Sequence, residues 1–91
     1  MEKINNEEVY FKLNFLLRRL DFDIDSVEQP IIESIYELLD KKEIDLMLLL
    51  NCINKNTINR VKVCNELGLY FIQKGKFNET ASLLWLSCQF L

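Results

Sequence analysis

Histidine is absent from this 91-residue chain, which excludes a His-based catalytic triad, a His-containing zinc site and imidazole acid–base chemistry. Glycine occurs twice and proline once, too few for a collagen-like, linker-like or disordered chain, and few turn-makers for a sheet of tight hairpins. The composition therefore points to helices. Three cysteines, Cys52, Cys64 and Cys88, are odd in number, apolar in context and without a C-x-x-C spacing, a pattern expected of reduced thiols in a cytosolic protein. No Gly-rich phosphate loop is present, and neither metal nor cofactor chemistry has a motif to rest on. The longest unbroken apolar run, Leu46 to Leu50, is far short of a bilayer span, and the first residues lack the basic and apolar regions of a signal peptide. A cytoplasmic, non-enzymatic protein is expected.

What the chain does have is apolar surface. Of its residues 49% are hydrophobic, including six Phe, three Tyr and one Trp. A compact monomer of 10.8 kDa would still expose roughly 5,500 of the roughly 15,700 Å² of its extended chain. Some of the apolar surface is thus expected to be shared with another chain. The net charge of −3 hides an asymmetry: residues 1 to 45 carry twelve acids and six bases, residues 46 to 91 two acids and five bases. An acidic total argues against strong non-specific binding to nucleic acid.

The periodicities predict an all-α domain spanning the whole chain, of four to five helices arranged as antiparallel hairpins. Asn5 with Glu8 reads as a capping box and Ile4 with Val9 as a hydrophobic staple for a first helix ending near Leu20. Val9, Leu13, Leu16, Leu17 and Leu20 form its buried stripe, while Tyr10, Phe11 and Phe15 leave a second side to cover. A second helix starts around Ser26 and carries Val27, Ile31, Ile35, Leu38 and Leu39. Asp40 followed by Glu43 predicts the cap of a third helix running to about Ile53. Residues 54–57 read as a loop, with Thr57 or Asn56 capping a fourth helix from Ile58 to about Lys74. Gly75 fits the left-handed position after that helix. A fifth helix then runs to the end, and the nine residues from Leu83 to Leu91 carry no charge.

Residues 65 to 87 hold the most specific pattern. In Asn65-Glu66-Leu67-Gly68-Leu69-Tyr70-Phe71, the Leu-Gly pair and the aromatic three residues later match the first helix of a tetratricopeptide repeat. Gly75 and Phe77 match its turn, Thr80 and Ser87 its small positions, and Leu84 its large one. Residues 58–91 are therefore expected to form a tetratricopeptide-like hairpin. A shift of 33 residues superposes Leu38 on Phe71, Lys42 on Gly75 and Ile44 on Phe77. This implies an earlier, degenerate hairpin in which Ile35 and Met47 replace Gly68 and Thr80 and prevent tight packing. Two hairpins and a leading helix cannot close both ends of such a stack.

With its repeat-like hairpin and its Leu-rich first helix (Leu13-Asn14-Phe15-Leu16-Leu17), the chain resembles the larger of the two chaperones that hold the needle subunit of bacterial type III secretion systems. The resemblance implies a concave face that binds an amphipathic helix of the needle subunit. It also implies a second, small helical co-chaperone, contacted through the first helix or the terminal segment. The groove is expected to be formed by Leu67, Tyr70, Phe71, Leu84, Trp85 and Cys88. Two other readings stay open. A small acidic inhibitor, of the kind phages direct against a host nucleic-acid enzyme, would act through Asp21, Asp23 and Asp25, which are dispensable for stability on that reading. A nucleic-acid binder would use Lys55, Arg60, Lys62, Lys74 and Lys76. The alternating aspartates match a calcium loop only in its opening: Ser26 stands at its glycine position and Ile32 at its twelfth, so a solvated connection is expected there.

Overall fold

The computed structural model describes residues 6–22 and 28–89. Among these the chain forms five α-helices and no strand: α1 (Asn6–Asp21), α2 (Glu28–Asp40), α3 (Leu46–Asn56), α4 (Arg60–Gln73) and α5 (Phe77–Cys88). The all-α expectation holds. The cap and staple residues Asn5 and Ile4, the loop residues Asp23 and Asp25, and the expected second-helix start at Ser26 and Val27 lie outside the described residues. None of the described helices is long and apolar enough to cross a membrane.

In α1 the stripe of Leu13, Leu17 and Leu20 is fully buried, with Val9 and Leu16 packed beside it. Glu7 and Glu8 occupy its first turn and Arg18 and Arg19 its last, the signs that the helix dipole favours at each end. α2 buries Ile31, Ile32, Ile35 and Leu38. Pro30 sits in its first turn, where a missing N–H costs no helical hydrogen bond.

The start of α3 corrects the expectation. Asp40 is the last residue of α2, and the cap of α3 is Asp45, whose carboxylate accepts the Leu48 N–H at 2.8 Å. Between them, Lys42 takes a left-handed backbone (φ 63°) and ends α2. The far end of α3 also differs, because the helix continues through Asn54, Lys55 and Asn56. Thr57 closes α3 instead of opening α4, since its hydroxyl donates to the Ile53 carbonyl at 2.7 Å.

α4 has no side-chain cap from its own segment. Asp21, at the end of α1, instead holds the two residues that lead into α4. Its two carboxylate oxygens accept the backbone N–H groups of Ile58 (2.8 Å) and Asn59 (2.7 Å). In return, the Asn59 side chain donates to the Asp21 carbonyl (3.0 Å) and Lys62 Nζ to the Leu20 carbonyl (2.9 Å). The backbone donors just before α4 are thus satisfied by the Asp21 side chain, and two of the orphan acceptors that end α1 by the side chains of Asn59 and Lys62. An acid near the C-terminus of α1, unfavourable by itself, is explained by the N-terminus it faces.

α4 and α5 make the most extensive helix–helix contact of the fold. Gly75 (φ 77°) supplies the turn between them, and the small residues Thr80 and Ser87 are buried in the contact. Thr80 Oγ1 donates to the Lys76 carbonyl at 2.9 Å and reaches the Gly68 carbonyl at 3.4 Å. α2 and α3 barely touch, and α1 packs against both. Bulky Ile35 and Met47, where the second hairpin has Gly68 and Thr80, fit this opened arrangement. α2 and α4 lie with their C-terminal ends together: Tyr36 packs edge-on against Tyr70 and Phe71, and Lys76 pairs with Asp40 at 3.3 Å.

Candidate partner-binding surface

The six residues expected to form the groove separate into two groups. Leu67 and Phe71 are fully buried, in line with Val63 and Cys64 on the face of α4 that enters the core. They offer no surface to a partner, which corrects that part of the expectation. Tyr70 is half-buried, with its ring 5.5 Å from that of Tyr36 and the Lys74 ammonium 5.4 Å above it. Leu84, Trp85 and Cys88 lie exposed on α5.

Sequence reasoning missed the α4 half of this surface, where Leu69 and Ile72 are exposed, Leu69 by about two thirds. Phe77, at the start of α5, is exposed to the same extent. Leu69 and Ile72 follow Val61 and Asn65 at helical spacing on α4, and Phe77, Ala81, Leu84 and Cys88 do so on α5. The two stripes meet at Gly68, whose missing side chain would touch Leu84 and Thr80 at 3.9 Å. Neither stripe carries a charged residue, and Asn65 is the one polar side chain in the α4 stripe. The available signal was the pair of α4 stripes, 63–67–71 and 65–69–72. The aromatic motif of the repeat selects the first of them, and packing against α1 and α2 leaves the second outside.

The thiols divide in the same way. Burial raises the pKa of Cys64 to about 11 and that of Cys52 upward from 9.0, so both are held as protonated, packed hydrophobes. Cys88 is exposed beside Trp85.

Four of the charged residues named in the other two readings, Asp21, Lys62, Lys74 and Lys76, are engaged within the fold. Asp21 is only 3% exposed and engaged by Ile58 and Asn59, so it is unavailable as an acidic contact and its neutralisation would disturb the fold. Lys62 is held by the Leu20 carbonyl and by Glu66 (3.4 Å), Lys74 stacks over Tyr36 and Tyr70, and Lys76 pairs with Asp40. Among the described residues no group of three acids or cysteines is gathered to hold a metal ion.

A cleft of about 980 Å³ lies where the first turns of α1, α3 and α5 converge with the α2–α3 turn. Its rim carries Glu7, Glu43, Asp45 and Glu79 against Lys42, and its floor is apolar, with Ile44, Leu46 and Leu48. Glu7 and Glu79 stand in first turns and Asp45 is a cap, positions in which helix dipoles offset part of the negative charge. Compared with known proteins, the chain matches no family model, no curated protein and no solved structure.

Proposed function

We propose that this protein is a binding module that accepts an amphipathic helix of another chain along the outer face of α4 and α5, keeping that partner soluble. The observation that supports this reading is the exposed apolar surface of Leu69, Ile72, Phe77, Leu84 and Trp85 at the end of the helical stack. In a tetratricopeptide array, the first helix of the next repeat would cover this face, so a helix is the shape it fits. Each large side chain taken out of water there contributes on the order of 25 cal/mol per Å², before the cost of ordering the incoming helix. A self-assembling helical subunit, of which a secretion needle subunit is the kind the sequence resemblance implies, is the partner class proposed.

Trp85 is the only tryptophan of the chain and stands on this face, so its emission reports directly on occupancy. Titration with an amphipathic helical peptide, and co-expression with a needle subunit, should give a saturable blue shift and a co-purifying complex. Leu84→Asp should weaken the peptide by about tenfold or more, the loss expected when a buried contact becomes a charge. Unchanged Trp85 emission at saturating peptide would refute the proposal.

A further inference from the structure

The outermost stripe of α1 is Glu8, Phe11, Phe15, Arg18 and Phe22, all exposed, at spacings of three, four, three and four residues. The spacing is that of a coiled-coil seam, with Phe at three positions, the last just past the end of α1, and a charge at the other two. It is separate from the α4–α5 face and lies opposite the stripe of Leu13, Leu17 and Leu20 that α1 gives to the core. Arg18 lies 6.0 Å over the ring of Phe22, and Arg19 lies 5.7 Å over that of Phe15, so the aromatic seam is already framed by guanidinium groups.

The seam reads as its own complement when reversed about Leu13. Phe11 and Phe15 stand two residues to either side of that centre, and Glu8 and Arg18 five. We infer that a second copy of this chain docks here, α1 against α1 in antiparallel orientation about a two-fold axis. Phe11 of one protomer then packs on Phe15 of its partner, and Glu8 meets Arg18, each contact occurring twice. A parallel arrangement would instead set Glu8 beside Glu8 and Arg18 beside Arg18. Lys12 flanks the seam near the axis, and its long stem carries the charge clear into solvent.

The decisive experiment is sedimentation of the full chain across micromolar concentrations. A dimer of twice the 10.8 kDa chain mass is expected. Glu8→Arg alone and Arg18→Glu alone should each weaken it by about tenfold, because two attractive pairs become repulsive ones. Mixing the two variants should restore the dimer as a heterodimer, in which both contacts, one at each end of the seam, regain opposite charges and the like-charge pairing of either homodimer is avoided. Phe15→Asp should leave monomer with an unchanged helical circular dichroism spectrum, and if that variant fails to fold, the mixing experiment decides alone. A wild-type chain that stays monomeric, or a mixture of charge variants that does not re-associate, would overturn the inference. So would a dimer that survives Phe15→Asp and is lost on Trp85→Ala, which would place self-association on the α4–α5 face.

Discussion

Lys42 and Gly75, 33 residues apart, hold the same left-handed backbone at the same place in the same helix ending. Their φ angles are 63° and 77°. In each case the residue itself bonds back to the carbonyl three before it, Leu39 or Ile72, at 3.1 Å. The next residue bonds to the carbonyl five before it, Glu43 to Leu38 and Lys76 to Phe71, both at 2.9 Å. These paired bonds define the Schellman motif. The Asp40–Lys76 ion pair joins the two turns. The 33-residue correspondence is therefore a backbone one, preserved at the end of α2 where the small packing residues are not.

A left-handed conformation costs a side chain roughly 1–2 kcal/mol and costs glycine little, although glycine also loses more entropy on folding. Lys42→Gly should therefore stabilise the protein by about 0.5–1 kcal/mol. Gly75→Ala should destabilise it by about 1 kcal/mol, although nothing within 4 Å would obstruct the added carbon. Urea unfolding followed by circular dichroism would measure both, and equal effects of one sign would contradict the argument.

Gly68 presents the opposite case. It is mid-helix in α4, and a Cβ there would meet Leu84 Cδ2 and Thr80 Cγ2 at 3.9 Å, ordinary contact. Close approach of α4 and α5 does not require the glycine. Gly68→Ala should raise stability by about 0.5–1 kcal/mol through helix propensity, seen as a higher urea midpoint with an unchanged slope. A lower midpoint would mean that the two helices are closer than these distances state.

Local signals were legible where the chain settles its own geometry. Gly75 ends α4, Thr80 and Ser87 are buried, and the Leu stripe of α1 is in the core, all readable from spacing. Signals that depend on a distant partner were not. Asp40 and Asp45 are equally plausible caps by composition, and the Lys42 turn decides between them. Asp21 reads as a loop acid until α4 is brought to it. Leu67 and Phe71 match a repeat motif whose residues serve the core, whereas Leu69 and Ile72 match nothing and remain outside. For the binding surface, periodicity marked the hairpin, and only packing told which of its stripes stays exposed.

Burial of the thiols has a pH consequence. Cys64 keeps its proton to about pH 11 in the folded chain, while an unfolded thiol releases it near the ordinary value of 9.0. Between those values the unfolded state binds fewer protons, so stability falls as pH rises through that window. Cys52, raised for the same reason, acts in the same direction. Chemical unfolding at a series of alkaline pH values should show a decline beginning near pH 9 that is shallower in Cys64→Ala. In the folded protein a thiol reagent should modify Cys88 quickly and the two buried cysteines only on unfolding. Rapid modification of all three at neutral pH would contradict the burial.

A single change at Asp21 should loosen the chain that leads into α4. Asp21 is 3% exposed and its carboxylate satisfies two backbone donors at 2.7 and 2.8 Å, bonds to a charged acceptor that contribute about 1.5–3 kcal/mol each. Asp21→Ala removes both and leaves the Ile58 and Asn59 N–H groups facing a void, for an expected loss of about 2–4 kcal/mol. Asp21→Asn keeps one acceptor and turns an amide toward the second donor, so its loss should be nearly as large. Glu33→Gln, an exposed acid on α2, should change stability by less than about 0.5 kcal/mol. Hydrogen exchange would locate the effect: protection should fall first in α4 and at the end of α1, because those two ends are fastened through the same few bonds. Uniform loss of protection, or an Asp21→Ala variant as stable as Glu33→Gln, would show that α4 begins without help from α1.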